Sequence, residues 1–141
     1  MQNLKNLFDL SKKIVVITGG AGLLGYMHAE AVMAYGGIPI IIDINKEFID
    51  KCLKELKSSY SGEVYGFAVD ISNEEEVEKF AQTIKKEFIK LDGLINNAAN
   101  NPRVENDGKD FSRLENFCIE TWNKDIAVGL TGSFLCSKYL G

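Results

Sequence analysis

The sequence predicts an α/β protein with a doubly wound, mainly parallel sheet. Short apolar segments rich in β-branched residues alternate with longer segments of helical periodicity, beginning and ending on a strand before a final helix. Strands joined by helices of this length need right-handed crossovers, which place helices on both faces of a parallel sheet. With 141 residues, 45% of them hydrophobic, the chain is large and apolar enough for one packed domain over residues 1–141.

Each element follows from its own pattern. We predict strands over residues 14–18, 38–43, 64–70 and 91–96. We predict helices over residues 23–35, 46–60, 74–89 and 121–139. The third helix has a clear start, because Ser72 and Asn73 precede three glutamates that suit the positive end of the helix dipole. Residues 100–116 contain Asn-Pro and Asp-Gly pairs, which indicate an irregular loop.

The composition excludes several classes of function. The net charge of −4 comes from interspersed acids and bases, so no basic stripe predicts a nucleic-acid partner. The first ten residues are too polar for a signal peptide, and no apolar stretch is long enough to cross a membrane. Three cysteines without a CxxC spacing and a single histidine, His28, predict no metal site. We therefore expect a soluble, cytoplasmic protein.

A glycine-rich loop, TGGAGLLG over residues 18–25, joins the first predicted strand to the first predicted helix. Glycines allow a tight turn and a close approach of the backbone to a pyrophosphate, while the free N–H groups at the helix start face the phosphates. A strand before the loop and a helix after it are the context of a Rossmann-type dinucleotide site. The candidate cofactor-binding residues here are Gly19, Gly22, Leu23, Leu24 and Gly25.

Asp43 is the second candidate, because it ends the second predicted strand eighteen residues beyond Gly25. An acidic side chain at this place receives the ribose hydroxyls of an adenine nucleotide. A carboxylate would repel a 2′-phosphate, and Lys46, which lies past the turn, is the only nearby cation. The sequence therefore predicts NAD rather than NADP as the cofactor.

Four landmarks together resemble the short-chain dehydrogenases/reductases over nearly the whole chain. They are the glycine loop, Asp43, the Asp70-Ile71 pair at the end of the third strand, and the NNAA segment over residues 96–99. The resemblance implies that Asp70 bonds the adenine amino group and that Asn97 and Ala98 shape the cofactor pocket beside the ribose.

The same resemblance implies an activity. Members of the family move a hydride between a nicotinamide cofactor and an alcohol or ketone, so it implies NAD(H) and a small-molecule alcohol or ketone as partners. It also implies that the full-length form is a homo-oligomer.

Two departures from the family pattern leave alternatives open. Gly19, Gly22 and Gly25 have the TGxxGxxG spacing of the extended branch, whose members include NAD-dependent sugar-nucleotide epimerases and dehydratases, whereas NNAA is typical of the classical branch. Gly129 also stands where the family carries an asparagine of its proton relay. An epimerase or dehydratase and a non-catalytic dinucleotide-binding module are therefore the alternative functions.

No catalytic residue is assigned within the chain. The resemblance implies a tyrosine with a lysine four residues later, and a serine that polarises the substrate oxygen. None of Tyr26, Tyr35, Tyr60 and Tyr65 has a lysine at that spacing. In the family these residues follow the segment matched here. We therefore expect an incomplete NAD-binding domain, truncated after the helix that follows the fourth strand and inactive on its own.

Overall fold

The computed structural model of the protein describes residues 7–100 and 114–141. Four strands are present in this part of the chain: β1 (Ile14–Thr18), β2 (Ile38–Asp43), β3 (Tyr65–Ala68) and β4 (Gly93–Ile95). The α-helices are α1 (Leu23–Ala34), α2 (Lys46–Ser59), α3 (Glu74–Glu87), α4 (Ile119–Ile126) and α5 (Ser133–Leu140). A 3-10 turn covers Leu114–Asn116, and a π-helical segment, Ala127–Gly132, joins α4 to α5.

The strands form one parallel sheet in the order β3-β2-β1-β4, which confirms the predicted fold class. In its centre Val16 lies opposite Ile40 of β2 on one side and Leu94 of β4 on the other. The chain thus builds outward from β1 to β3 and then returns to the other side of β1. In sheets of this kind the ligand cleft lies at the carboxyl ends of the strands, where the strand order reverses.

Apolar side chains pack on both faces of β1 and β2, as expected for strands buried between two helical layers. On one face the core contains Val15, Ile17 and Ile41 together with Ala29 of α1 and Ile49 and Leu56 of α2. On the other face it contains Val16, Ile40 and Ile42 together with Val77 and Phe80 of α3 and Leu135 of α5. The sheet is therefore doubly wound, and its carboxyl edge lies between the two layers.

The amino ends of β1 and β4 are joined by one carboxylate. Asp92 Oδ2 accepts a hydrogen bond from the Ile14 backbone N–H at 3.0 Å, and Oδ1 accepts from Lys13 Nζ at 3.0 Å and Lys90 Nζ at 2.7 Å. The Asp92 side chain is 14% exposed. The bonds from Lys90, Ile14 and Lys13 hold the pKa of Asp92 well below its usual range.

Two observed features differ from the predicted elements. β3 and β4 are shorter than predicted, because the chain turns at Asp70, whose Oδ1 accepts from the Ser72 N–H, and because β4 pairs with β1 over three residues only. The last helix begins at Ile119 and is interrupted by the π-helical segment rather than running unbroken. Most of the predicted loop over residues 100–116 lies outside the described residues.

None of the helices in the described part of the chain is long and apolar enough to span a lipid bilayer.

Candidate functional site

A cleft of about 470 Å³ opens at the carboxyl edge of the sheet, where β1, β2, β3 and β4 all end. The residues that line it include all ten that the sequence singles out: Gly19, Gly22, Leu23, Leu24, Gly25, Asp43, Asp70, Ile71, Asn97 and Ala98. The other lining residues are Ile42, Ile44, Val69, Ala99, Asn100 and Val128. The fold therefore brings together, in one concave site, residues that lie up to 79 positions apart in the sequence, from 19 to 98.

The glycine loop needs glycine for two different reasons. Gly19 has φ +60°, and a Cβ on it would lie 2.9 Å from the Ala98 Cα, so a side chain there would be strained and would push into the NNAA segment. A Cβ on Gly25 would overlap the Gly19 carbonyl oxygen and lie 2.6 Å from the Gly20 Cα. The first turn of α1 therefore packs directly on the loop backbone.

The start of α1 lacks the side-chain caps that Asn45 and Asn73 provide for α2 and α3. Its N-cap residue is Gly22, no side chain caps the helix, and no acidic residue lies in the first turn. The first backbone N–H groups of a helix have no acceptor within the helix, and here they belong to Leu23, Leu24 and Gly25 at the cleft. Together with the helix dipole, these groups favour an anionic ligand at this point.

Thr18 joins the glycine loop to the NNAA segment. Its side chain is buried, and Oγ1 accepts hydrogen bonds from the backbone N–H groups of Asn97 and Ala98, both at 2.9 Å. Asn97 Nδ2 donates in return to the backbone oxygens of Thr18 at 2.9 Å and Gly19 at 3.2 Å. This role of Thr18 is not among the sequence predictions, although its position directly before the glycines is a usable signal.

The two cleft carboxylates are held by their own turns. Asp43 Oδ1 accepts from the Asn45 N–H at 3.1 Å. Asp70 Oδ1 accepts from the backbone N–H and the hydroxyl of Ser72, at 2.9 and 2.6 Å. In both residues Oδ2 accepts no hydrogen bond from any group within residues 7–100 and 114–141. Each carboxylate is thus oriented by one oxygen, while its other oxygen has no partner in the described structure.

The charge of the cleft is negative at its β2 and β3 end. Asp43 and Asp70 line it, and among the described residues no lysine or arginine does. The cation nearest in sequence, Lys46, forms an ion pair with Asp50 at 2.6 Å on the exposed face of α2. A ligand that carries an additional phosphate beside Asp43 would therefore meet a carboxylate and no cleft-lining cation within the structure described.

The opposite end of the cleft contains a hydrogen bond that joins distant parts of the chain. Asn100 Nδ2 donates to Asp125 Oδ1 at 2.8 Å, which holds the end of the NNAA segment against α4. Val128, in the π-helical segment, also lines the cleft. Sequence patterns gave no signal for this contact, because it joins side chains 25 positions apart.

The remaining titratable groups of note lie away from the cleft. Glu74 Oε1 accepts from Lys138 Nζ and from the Tyr139 hydroxyl, both at 2.8 Å, which joins the end of α5 to the start of α3. The hydrogen bond to Glu74 raises the pKa of Lys138 to about 12. Burial raises the pKa of both Cys52 and Cys136 to about 11, so these thiols are protonated and unreactive at neutral pH.

Proteins similar in sequence to this chain are named as oxidoreductases, dehydrogenases or reductases. It is 35% identical over 131 residues to the uncharacterized oxidoreductase YxbG of Bacillus subtilis and 39% identical over 130 residues to the short chain dehydrogenase/reductase dpfgG of Gibberella zeae. It is 30% identical over 141 residues to an NADP-dependent mannitol dehydrogenase of Alternaria alternata. These alignments cover 93%, 92% and 98% of the chain but only 45%, 45% and 50% of the relatives, so the chain spans about half their length.

Solved structures have the same fold. An NAD+-bound xylitol dehydrogenase superposes with a TM-score of 0.81 at 21% identity, over 93% of this chain and 47% of its own. The Pseudomonas aeruginosa RhlG/NADP complex superposes with a TM-score of 0.81 at 26% identity, over 94% of this chain and 48% of its own.

A family model agrees with the cleft and with these likenesses. The model described as short chain dehydrogenase matches residues 13–140, which is nearly the whole chain and includes the glycine loop, both cleft carboxylates and the NNAA segment. The chain therefore belongs to the short chain dehydrogenase family.

Proposed function

We propose that the chain forms the NAD-binding part of an oxidoreductase that moves a hydride between NAD(H) and the alcohol or ketone carbon of a small molecule. The observation that carries this proposal is the single cleft that gathers the uncapped start of α1, the glycine loop and two oriented carboxylates. The nicotinamide ring supplies the hydride acceptor or donor when the cofactor is bound. The residues of this chain bind and orient that cofactor.

The residues fit a dinucleotide in the order in which the strands lie. The glycine loop at the end of β1, with the free N–H groups of Leu23 and Leu24, suits the pyrophosphate. Asp43, at the end of the neighbouring strand β2, has a free Oδ2 to accept from ribose hydroxyls. Asp70 and Ile71 follow β3, one strand further out, where a carboxylate oxygen and an apolar wall suit the adenine ring.

The other half of the cofactor belongs, in this proposal, to the β4 side of β1. Asn97 and Ala98 line the cleft there, and their backbone is held by Thr18 rather than by a flexible turn. Preorganised groups lose little conformational entropy when a ligand binds. We therefore assign Asn97 and Ala98 to the pocket beside the nicotinamide ribose.

We further propose that the cofactor is NAD rather than NADP. The printed names of related proteins include both, since a mannitol dehydrogenase is NADP-dependent and a xylitol dehydrogenase structure contains NAD+. The preference therefore depends on the residues at the ribose. Asp43 would repel a 2′-phosphate, and Lys46 is engaged by Asp50.

Titration of the chain with NAD and with NADP, followed by calorimetry, tests both proposals. We expect tighter binding of NAD. Asp43→Ala removes the acceptor of the ribose hydroxyls and should weaken NAD binding by about tenfold or more while narrowing its advantage over NADP. Glu78→Ala, which removes an exposed carboxylate of α3 outside the cleft, is the control and should leave NAD affinity unchanged. NADP binding as tight as NAD in the wild type would contradict the assignment.

Two alternative functions are an epimerase or dehydratase and a non-catalytic dinucleotide-binding module. The match to the short chain dehydrogenase model and the dehydrogenase and reductase names of the relatives support an alcohol or ketone dehydrogenase over a sugar-nucleotide epimerase or dehydratase. A non-catalytic dinucleotide-binding module would also bind NAD in this cleft. A turnover assay of a longer protein that contains this chain, in the wild type and in Asp43→Ala, would separate an enzyme from such a module.

A further inference from the structure

Gly132 lies where the π-helical segment passes the turn after β3. A Cβ added to this buried glycine would lie 2.7 Å from Cδ1 and Cγ1 of Ile71 and 3.2 Å from the Ile71 carbonyl oxygen. Packed carbon atoms do not approach this closely, so even a methyl group at position 132 would have to move Ile71. The contact includes the backbone of Ile71, which a change of side-chain rotamer would not relieve.

Ile71 separates this contact from the cleft. It is only 5% exposed and packs in the core cluster with Val77 and Leu135, yet it also lines the cleft beside Asp70. Because the core side is filled, a push from position 132 moves Ile71 toward the cleft. The Ile71 carbonyl belongs to the peptide group that carries the Ser72 N–H, and this N–H donates to Asp70 Oδ1 at 2.9 Å, so the same push disturbs the hydrogen bond that orients Asp70.

Gly129 offers the opposite case within the same segment. A Cβ on Gly129 would meet no atom within 4 Å among the described residues, and Gly129 does not line the cleft. The two glycines thus belong to one π-helical segment and would gain the same methyl group on substitution to alanine. Only at position 132 does that methyl group collide with the cleft wall.

We propose that Gly132 is a positioning residue for the adenine end of the cleft, because its lack of a side chain lets Ile71 lie against the helix and keeps Asp70 in place. Ile71 is the side chain through which it acts. This inference rests on the proposed function, namely that Asp70 and Ile71 receive the adenine ring.

The test is a set of paired variants titrated with NAD. Binding is monitored by the NMR signals of the isoleucine methyl groups, so that weak binding is measurable. Gly132→Ala is made in the wild type, in Ile71→Val, which lacks Cδ1, and in Ile71→Ala, which lacks both colliding atoms of the side chain. We expect Gly132→Ala to weaken NAD binding by about tenfold in the wild type. The loss should be smaller beside Ile71→Val and less than about twofold beside Ile71→Ala.

A second probe separates positioning from a general loss of stability. Nicotinamide hypoxanthine dinucleotide lacks the adenine amino group, and its affinity relative to NAD reports on the place of Asp70. Gly132→Ala should reduce the preference for NAD over this analogue, whereas Gly129→Ala should change neither the affinity nor the preference. If Gly132→Ala does not fold when Ile71 is unchanged, the effect of Gly132→Ala can still be compared between the Ile71→Val and Ile71→Ala proteins.

The possible outcomes are distinct. An equal effect of Gly132→Ala in all three backgrounds, or an effect no larger than that of Gly129→Ala, overturns the role of Gly132 while NAD binding by the wild type still supports the proposed function. If the wild type binds neither NAD nor NADP, the proposed function is wrong and the role of Gly132 is wrong with it.

Discussion

The two ends of the sheet treat their polar groups in opposite ways. At the amino end, the Asp92 carboxylate accepts from two lysines and a backbone amide, so both of its oxygens are used. At the carboxyl end, α1 starts without a cap, and Asp43 and Asp70 each keep one oxygen without a partner in the described structure. One end satisfies its polar groups within the protein, and the other end leaves groups that a cofactor would satisfy in the function proposed above.

The difference between the two ends indicates which end a ligand would occupy. No buried side-chain nitrogen or oxygen of the described residues lacks a partner, so the free groups at the carboxyl end are in contact with solvent that a ligand could replace. Thr18 is an exception at the carboxyl end of the sheet, because both hydrogen bonds that its side chain accepts come from backbone N–H groups of the protein. We therefore expect substitutions at the amino end to change stability only, and most cleft substitutions to change binding.

The largest expected effect concerns catalysis by this chain alone. The residues four positions after Tyr26, Tyr35, Tyr60 and Tyr65 are not lysines, and position 143, four after Tyr139, lies outside the 141 residues. A positioned acid contributes about a hundred- to ten-thousand-fold to proton transfer, and a donor to the oxyanion contributes about another hundredfold. We expect the chain to bind NAD(H) without oxidising or reducing alcohols and ketones at an enzymatic rate, as measured by NADH absorbance.

Two observations control this experiment. Binding of NAD by the same preparation shows that the sample is folded and that the cleft is formed. Tyr139 is the tyrosine nearest the end of α5, and its hydroxyl donates to Glu74 rather than lining the cleft. Turnover that disappears in Tyr139→Phe would show that the catalytic residues lie within this chain after all.

The next effect is on stability at the site end. Thr18→Val removes the oxygen that accepts from two part-buried backbone N–H groups while it keeps the shape of the side chain. A fully buried donor without a partner costs about 1–3 kcal/mol, and these two donors are only partly buried, so we expect the free energy of unfolding in urea to fall by about 2–4 kcal/mol. Thr18→Ser keeps the oxygen and removes one methyl group, so its loss should be closer to about 1 kcal/mol. Equal losses in the two variants would show that the Thr18 hydroxyl does not stabilise the contact between the glycine loop and the NNAA segment.

Much of the fold follows from the sequence because the apolar periods are strong. The predicted bounds of β1 and β2 coincide with the observed ones, since each strand is buried on both faces and ends at a turn residue. The π-helical segment, by contrast, is not predictable from period alone. A π-helical segment of six residues is too short to show a period of its own in the sequence, and the packing of Gly132 on Ile71 is a tertiary contact.

The candidate site divides in the same way. Residues that follow a strand, such as Asp43 and Asp70, are predictable because parallel strands end at one edge of the sheet. The contact between Asn100 and Asp125 is not, since it depends on how α4 packs beside the NNAA segment. Motifs therefore identified the cleft residues that follow the strands, whereas the contact between Asn100 and α4 was found only in the structure.

A smaller effect is expected at the amino end and depends on pH. The pKa of Asp92 is lowered in the folded protein by Lys90, the Ile14 amide and Lys13. Because the folded pKa lies below the unfolded value of about 3.9, the stabilisation is complete above about pH 5 and is lost as the pH falls through about 4 toward the folded pKa. Asp92→Asn should lower the thermal midpoint at pH 7, and the difference from the wild type should shrink below pH 4.

Glu74 provides the control for that pH dependence. Its pKa is also lowered, by Lys138 and Tyr139, but its side chain is 55% exposed, whereas that of Asp92 is 14% exposed. Solvent and salt screen exposed ion pairs, so Glu74→Gln should have a smaller effect that disappears in high salt. NAD affinity should stay unchanged in Asp92→Asn, and a loss of binding there would break the division between the two ends.

The smallest effect distinguishes a capped helix start from the uncapped start of α1. Asn73 Oδ1 accepts from the backbone N–H groups of Glu75 at 3.1 Å and Glu76 at 3.4 Å, so α3 has the cap that α1 lacks. Asn73→Ala should lower the free energy of unfolding by about 1 kcal/mol, because these N–H groups lose their acceptor. Asn73→Asp keeps the acceptor and should be nearly neutral. Neither variant should alter NAD affinity, because Asn73 lies outside the cleft. A fall in NAD affinity as large as that expected of Asp43→Ala would mean that capped helix starts also form part of the binding site.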